Sequence, residues 1–192
     1  MGFRSILASW QVGRLRKNID TLEFSFPADL LKPRHIMVCL PEGLRELTLV
    51  KQFLPTIRDM FKPADVTLLS MPGVKVHDIY PRKGFQILTP SMDQLTWSGL
   101  PKKSYVQHLS DQKFDMILDL SIEASHFTSA ILLSFPGAIR IGRGNHLGEP
   151  YYNLEIKTKY LRDERNIYRS LLDTLGTLLQ RPTNGHSSAK PQ

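Results

Sequence analysis

Two short stretches of the chain place carboxylate and hydroxyl side chains directly after runs of apolar residues. They contain Glu42, Gly43, Arg45 and Glu46 in the first stretch, and Asp119, Ser121, Glu123 and His126 in the second. Carboxylates at such points can accept hydrogen bonds from sugar hydroxyls, or one of them can act as a general base. They can equally complement a helix N-terminus or accept neighbouring backbone N–H groups. The residue types alone leave both interpretations open.

The patterns of the common catalytic and cofactor sites do not occur in this sequence. It has no phosphate loop, no Gly-x-Gly-x-x-Gly fingerprint and no Gly-x-Ser-x-Gly elbow. The six histidines lack metal-ligand spacing, and Cys39 is the single cysteine. We therefore expect no cofactor and no metal. The glycine-rich residues 142–148 predict a flexible loop, and its Arg143 and His146, together with Arg140 just before it, could contact an anion.

The elements that must position these side chains alternate between strand and helix from residue 35 onward. Short apolar runs predict strands at 35–41, 65–70, 85–89, 114–120, 138–142 and 151–156. Apolar spacing of three and four predicts the helices between them, and Pro55 is expected to kink or split one helix. This alternation predicts an α/β fold with a Rossmann-like, doubly wound and mostly parallel sheet. Ligands of such sheets bind at the carboxyl ends of the strands, where both stretches should lie.

Three segments follow from this pattern. Residues 1–34 form a basic N-terminal segment with an amphipathic helix and a possible edge strand at 21–26, where polar and apolar side chains alternate. Residues 35–180 form one Rossmann-like domain that closes with a long C-terminal helix. Residues 181–192 are rich in Pro, Ser, Asn and Gly and are expected to be disordered.

The net charge of +7 lies entirely in the terminal segments. Residues 1–34 carry net +3, residues 157–192 carry net +4, and the residues between them carry equal numbers of basic and acidic side chains. A nucleic-acid-binding fold should carry its positive charge on the surface that faces the phosphates. We therefore do not expect nucleic acid as a partner, and expect a protein partner or a homo-oligomer instead.

The N-terminal helix could itself be an attachment surface. Its apolar and basic residues are Phe3, Ile6, Leu7 and Trp10, with Arg4, Arg14, Arg16 and Lys17. Such a helix can lie on an anionic membrane, or its apolar face can pack on its own domain or on a partner, which is the simpler expectation. The sequence has no signal peptide and no membrane-spanning run, so we expect a cytoplasmic protein, with the inner face of the membrane as an alternative location.

Residues 35 to about 145 resemble the N-terminal, acceptor-side domain of family 9 glycosyltransferases, the lipopolysaccharide heptosyltransferases. The run Phe-Asp-Met-Ile-Leu-Asp-Leu at 114–120 is similar to the family's Tyr-Asp-…-Asp-Leu-Gln-Gly strand, and Arg-Ile-Gly at 140–142 to its Arg-Arg-Ile-Gly. The resemblance places the family's catalytic Asp on Glu46 and the preceding Gly on Arg45. The family's Gln-Gly becomes Ser121 and Ile122.

Two hypotheses follow from this resemblance, because family members bind the nucleotide-sugar in a second domain that we expect this chain to lack. The favoured one is a degenerate, non-catalytic binding or scaffold subunit for a protein, a glycan or a membrane-associated partner. The other is a heptosyltransferase-like enzyme that works with a separate donor-binding subunit. In that enzyme Glu46 would be the base, and Asp119 and Glu123 would hold acceptor hydroxyls.

Overall fold

A computed structural model describes residues 2–17, 19, 22–26, 28–74, 76–80, 84–144 and 146–179. Within these residues the strands are β1 (His35–Cys39), β2 (Asp65–Leu69), β3 (Gln86–Leu88), β4 (Met116–Asp119), β5 (Ile139–Arg143) and β6 (Leu154–Ile156). The helices are α1 (Phe3–Arg16), α2 (Leu44–Met60), α3 (Lys103–Ser110), α4 (His126–Ser134) and α5 (Glu164–Leu179). Three single turns of 3₁₀ helix complete the regular structure.

The six strands form one parallel sheet in the order β3-β2-β1-β4-β5-β6. The strand order reverses between β1 and β4, which are hydrogen-bonded neighbours. A crevice therefore opens at the carboxyl ends of these two strands, because the connections leave them in opposite directions. The predicted Rossmann-like α/β fold is confirmed.

Side chains of β1 alternate between two apolar cores, one on each face of the sheet. Ile36 and Val38 face a core that includes the buried side chains of α2 and α5. Met37 and Cys39 face a second core built with α3 and α4. A strand buried on both faces is apolar at nearly every position, which is why the central strands are near-continuous apolar runs in the sequence.

Helix α2 is continuous, so of the two expected effects of Pro55 the split does not occur, and the kink stays a prediction. Its buried side chains, Leu47, Val50, Leu54 and Ile57, follow the predicted spacing. Pro55 removes the hydrogen bond to the carbonyl of Lys51, and both residues are exposed. Water can therefore satisfy that carbonyl, and the helix continues past the proline.

The described residues 22–26 do not form the edge strand that their alternation predicts. Leu22 and Phe24 do pack against the core, whereas Ser25 and Phe26 are exposed. Alternating burial requires only an extended backbone, and the sheet has its edges at β3 and β6 instead. Thr21 and the predicted disordered tail lie outside the described residues.

Helix α1 packs on α4, but not through the predicted apolar face. Its buried residues are Ala8 and Val12, which contact a small core with Leu133 of α4. Phe3 and Trp10 point into solvent, so this stripe does not pack on its own domain, and packing on a partner stays a prediction. None of the described helices combines the length and apolar character that a membrane crossing requires.

Candidate functional site

A cleft of about 300 Å³ opens where the strand order reverses, at the carboxyl ends of β1 and β4. One wall is the turn between β1 and α2, and the other is the turn between β4 and α4. Its lining includes five of the predicted site residues, Glu42, Gly43, Glu46, Ser121 and Glu123. The two stretches, almost eighty positions apart in sequence, are therefore brought together by the parallel sheet.

The first wall of the cleft is shaped by the start of α2. Gly43 is the N-cap residue with an extended backbone, and no side chain caps the helix there. Glu46, in the first turn, folds back so that its carboxylate lies against Gly43, and a Cβ at position 43 would collide with it. Negative charge is favourable at this end of a helix. The glycine therefore lets the Glu46 carboxylate lie over the turn at the mouth of the cleft.

Tyr168 of α5 has a buried hydroxyl on which the charge of Glu46 acts. The side chain is buried, and its hydroxyl has no hydrogen-bond partner among the described residues. Burial raises the pKa of Tyr168, and the negative charge of Glu46 adds to this. A buried hydroxyl usually has a partner. A water molecule or a ligand oxygen beside Glu46 would supply one.

Asp119 lies behind the cleft rather than in it. The residue ends β4 opposite Cys39 of β1, and only 1% of it is exposed. Its Oδ1 accepts the backbone N–H of Ser121 (N···O 2.9 Å), and its Oδ2 accepts the hydroxyl of Tyr152 (O···O 2.7 Å). The carboxylate therefore holds the turn that carries Ser121, and it does not line the cleft.

Tyr152 reaches Asp119 by lying across β5. The ring lies over Gly142, where a Cβ would overlap it, and its hydroxyl continues to the end of β4. Neither Tyr152 nor Gly142 is among the predicted site residues, because a tyrosine in an apolar run usually belongs to the core. The only available signal was the glycine inside the predicted strand, which often marks a close approach of another group.

We expect Asp119 to make the folded chain less stable as the pH rises. Burial raises the pKa of Asp119, so the folded chain binds this proton more tightly than the unfolded chain does. Its contribution to the free energy of unfolding therefore falls as the pH rises from the ordinary aspartate range through the raised pKa. Urea unfolding of the wild type and of Asp119→Asn across that pH range measures this contribution.

The difference between the two unfolding free energies should shift with pH in favour of Asp119→Asn toward neutrality. The matched control is Asp111→Asn, at an exposed carboxylate after α3. If wild type and Asp119→Asn respond to pH in parallel, Asp119 is not the buried titrating group that the structure describes.

Arg45 points away from the cleft. Its Nε lies 3.0 Å from Oε2 of Glu164, at the start of α5, and its side chain lines a separate groove between α2 and α5. The pair is largely exposed on the arginine side and contributes little to stability. Arg45 therefore leaves the turn at Gly43 open, although the resemblance had placed it where family members carry a glycine.

His126 lies beside the cleft, in a groove of about 560 Å³. This groove has apolar walls that include Met71, Met92 and Phe127. Glu42 borders both the groove and the cleft, so the two concavities adjoin. The histidine is therefore a neighbour of the carboxylates but shares no cleft with Glu46.

The expected anion-contacting loop is wrong for Arg140. That side chain is completely buried, and its Nε and Nη1 donate to Oδ1 of Asn153 and to the carbonyl oxygen of Leu132. Arg143 donates from Nη2 to the carbonyl oxygen of Ile122 (3.1 Å), so it secures the second wall of the cleft. Both arginines serve the fold.

A larger concavity, of about 970 Å³, lies at the opposite, amino-terminal edge of the sheet. Asp115, which borders it, accepts the backbone N–H groups of Arg34 and His35 at 2.7 and 3.0 Å. This carboxylate ties the entry of β1 to β4, which is a structural role. In the part of the chain that the structure describes, no group of three or more His, Cys, Asp or Glu side chains could hold a metal ion.

Comparison with known proteins identifies a family. The profile of a family of unknown function, DUF6913, matches residues 75–177, which is more than half of the chain. The chain belongs to this family. The DUF6913 match includes the second wall of the cleft, Tyr152 and most of α5. No curated protein matches the chain.

One solved structure relates the DUF6913 chain to an enzyme fold. The chain is similar to the structure of Escherichia coli heptosyltransferase WaaC with ADP, with a TM-score of 0.53 and 11% sequence identity, and the match covers 82% of this chain. The match covers 49% of the heptosyltransferase, so this chain spans about half of that protein's length. At this identity the likeness shows the fold alone. A glycosyltransferase-like fold is confirmed, whereas membership of glycosyltransferase family 9 is not shown.

Proposed function

We propose that the protein is a non-catalytic binding module, and that the carboxyl-edge cleft holds one neutral, hydroxyl-rich unit of a glycan. The cleft volume is near the lower end of the range for small-molecule sites, which suits a single sugar ring. Glu42, Glu46 and Glu123 offer carboxylate oxygens, and Ser121 offers a hydroxyl. Sugar hydroxyls are donors, and charge-assisted hydrogen bonds to carboxylates are stronger than neutral ones.

The observation that carries this proposal is the charge of the cleft. Three carboxylates line it, and its described lining includes no basic side chain. Transfer from a nucleotide-sugar leaves a diphosphate, whose developing charge needs cations or aimed N–H groups. Arg45 faces Glu164, and Arg143 is bonded to a carbonyl, so neither is directed into the cleft. The cleft therefore favours a neutral polyol over a phosphate-bearing donor.

The hydrogen bonds that hold the second wall of the cleft from behind suit a binding site. Asp119 holds the N–H of Ser121, and Arg143 holds the carbonyl of the next residue, Ile122. Two hydrogen bonds, one accepted by a buried side chain and one donated by a half-buried one, thus fix the turn before any ligand arrives. A wall fixed in this way loses little conformational freedom on binding, which favours affinity.

Binding of simple glycosides tests the proposal. We expect calorimetric titration with methyl glycosides of neutral hexoses and N-acetylhexosamines to show binding of at least one of them. Glu46→Gln should weaken it about tenfold, because a hydrogen bond to a charged acceptor becomes a neutral one. Glu23→Gln, at an exposed carboxylate of the N-terminal segment, is the control and should leave the affinity unchanged. Absence of binding, or equal affinity for Glu46→Gln, would contradict the proposal.

The alternative is a glycosyltransferase that works with a separate donor-binding subunit. It is favoured by one observation: Glu46, the residue that the resemblance matches to the family's catalytic Asp, does line the cleft. In this version Glu46 is the base and Glu123 holds the acceptor, because Asp119 is sealed behind the wall. Sugar transfer from a nucleotide-sugar to a glycoside, measured by mass spectrometry and lost in Glu46→Gln, would establish this alternative and displace the binding module.

A further inference from the structure

Helix α1 presents large apolar side chains to solvent. Phe3 is 72% exposed, Ile6 59% and Trp10 58%. Trp97, in the turn that precedes α3, is also 58% exposed, and its ring centroid lies 5.9 Å from that of Phe3. We refer to these four residues as the aromatic surface. Isolated exposed apolar residues are ordinary, but a group of this size marks an interaction site.

The aromatic surface is held in place by the opposite face of the same helix. Ala8 and Val12 lie about half a turn away from Phe3 and Trp10, and they are buried against the side chains of Leu133 and Leu100. Gln11 Oε1 also accepts a hydrogen bond from the Ser98 hydroxyl at 2.7 Å. The helix is therefore fixed to the domain by its small side chains, and its bulky ones remain outside.

Positive charge surrounds the aromatic surface. Residues 1–17 carry four basic side chains and no acidic one. The guanidinium of Arg4 lies 5.1 Å from the Trp97 ring centroid, and that of Arg14 lies 5.1 Å from the Trp10 ring centroid. Lys17 continues the same helix face by its spacing from Arg14 and is exposed. Arg16 turns instead toward Tyr151 of the domain.

We propose that the aromatic surface and its surrounding cations dock on an anionic lipid bilayer, with α1 lying in the plane of the headgroups. Phenylalanine, isoleucine and tryptophan enter the boundary between headgroups and acyl chains, while arginine and lysine contact the lipid phosphates. The fourteen residues of α1 give a helix of about 21 Å, along which Arg14 contacts the headgroups beside the inserted side chains of Phe3 and Trp10. This attachment is separate from the cleft at the carboxyl edge.

Charge argues for lipid over the other occupants of such a surface. A second copy of the chain would bring the same three cations, Arg4, Arg14 and Lys17, against the first, and like charges disfavour that contact. A nucleic acid would satisfy the cations, but it offers no apolar layer for Ile6 and Phe3. An anionic bilayer satisfies both the charges and the apolar side chains.

The fluorescence of the chain reports directly on this surface, because its only two tryptophans are Trp10 and Trp97. We expect the full chain to show a blue-shifted emission with phosphatidylcholine vesicles that contain phosphatidylserine. Brominated acyl chains should quench that emission. Vesicles of phosphatidylcholine alone should give little change, and added salt should weaken the binding. No emission change with the anionic vesicles would overturn the proposal.

Variants that keep both tryptophans separate the apolar from the electrostatic contribution to vesicle binding. Arg14→Gln combined with Lys17→Gln should weaken vesicle binding about 25-fold, and Ile6→Ser about tenfold. The matched controls are Lys51→Gln on α2 and Leu161→Ser, where the leucine is 79% exposed outside the aromatic surface. Circular dichroism confirms that each variant folds.

Two further results would overturn the lipid proposal. One is vesicle binding that the surface variants and the controls weaken equally. The other is self-association of the wild type without lipid that Ile6→Ser abolishes, which would assign the surface to a second copy. Glycoside binding should be unchanged in Ile6→Ser, so failure of this proposal and failure of the cleft proposal are distinguishable.

Discussion

Replacing Gly142 with alanine is expected to lower the free energy of unfolding by about 3–5 kcal/mol. The new methyl group would overlap the ring of Tyr152, which lies directly over the glycine. The ring must move, and its hydroxyl then leaves Oδ2 of Asp119. The cost therefore combines overpacking with the loss of a hydrogen bond to a buried carboxylate.

The same substitution at Gly176 is the control for this prediction. Gly176 lies inside α5, and the nearest atom to an added Cβ is the Met60 Cε, at an ordinary contact distance of 3.5 Å. Gly176→Ala should stabilise the chain by about 0.5–1 kcal/mol, because alanine loses less backbone entropy in a helix. Urea unfolding of both variants measures the two effects. Equal effects at the two positions would contradict the described placement of Tyr152.

Asn153→Ala is expected to cost about 2–4 kcal/mol, although the residue is only half-buried. Asn153 Oδ1 accepts both the backbone N–H of Arg140 (2.9 Å) and its Nε (3.3 Å). Arg140 is fully buried, and burial lowers its pKa. Without the amide, the Nε–H of a buried guanidinium and a strand N–H both lose their acceptor, while Nη1 keeps the carbonyl oxygen of Leu132.

A double-mutant cycle with Arg140→Met separates this effect from simple loss of packing. Once the guanidinium is gone, Asn153→Ala should cost about 1 kcal/mol or less, since mainly the backbone donor remains affected. The coupling free energy from thermal or urea unfolding of the four proteins is the readout. Additive costs would mean that Asn153 does not serve as the acceptor for Arg140.

The fold could be predicted from the sequence because its central strands are buried on both faces. Such strands are short and mostly apolar, as β1 is after His35 and β4 is before Asp119, and the helices between them keep a spacing of three and four. The predicted strand ends were less exact. Strand β6 begins at Leu154, although the strand was predicted to begin at Tyr151. Tyr152, within that run, is used instead to reach Asp119.

The cleft lining followed from topology rather than from any motif. Side chains after β1 and β4 meet because those strands are neighbours where the order reverses, and this brought Glu46 and Glu123 together. What the pattern could not show was how deeply each of these side chains is buried. Asp119 stands only two positions before Ser121, yet it is sealed by a tyrosine thirty-three residues away. Contacts of this range leave no periodic signal in the sequence.

The face of α1 that packs on the domain could not be identified from the sequence for a related reason. The stripe that contains Phe3 and Trp10 was expected to pack on the domain or on a partner. The contact with α4 is instead made by Ala8 and Val12, whose small side chains allow a close approach. The positive charge of the N-terminal segment thus surrounds an exposed aromatic surface, while the sheet carries a cleft lined with carboxylates.

The most direct test of the central proposal is a nuclear magnetic resonance titration of the labelled full chain with neutral methyl glycosides. The proposal predicts that amide signals of Gly43, Glu46, Ser121 and Glu123 shift together and saturate at one affinity. The amide signal of Lys113, at the opposite edge of the sheet, should not shift. Shifts confined to that opposite edge, or no shifts with any glycoside, would contradict a glycan-binding cleft between β1 and β4.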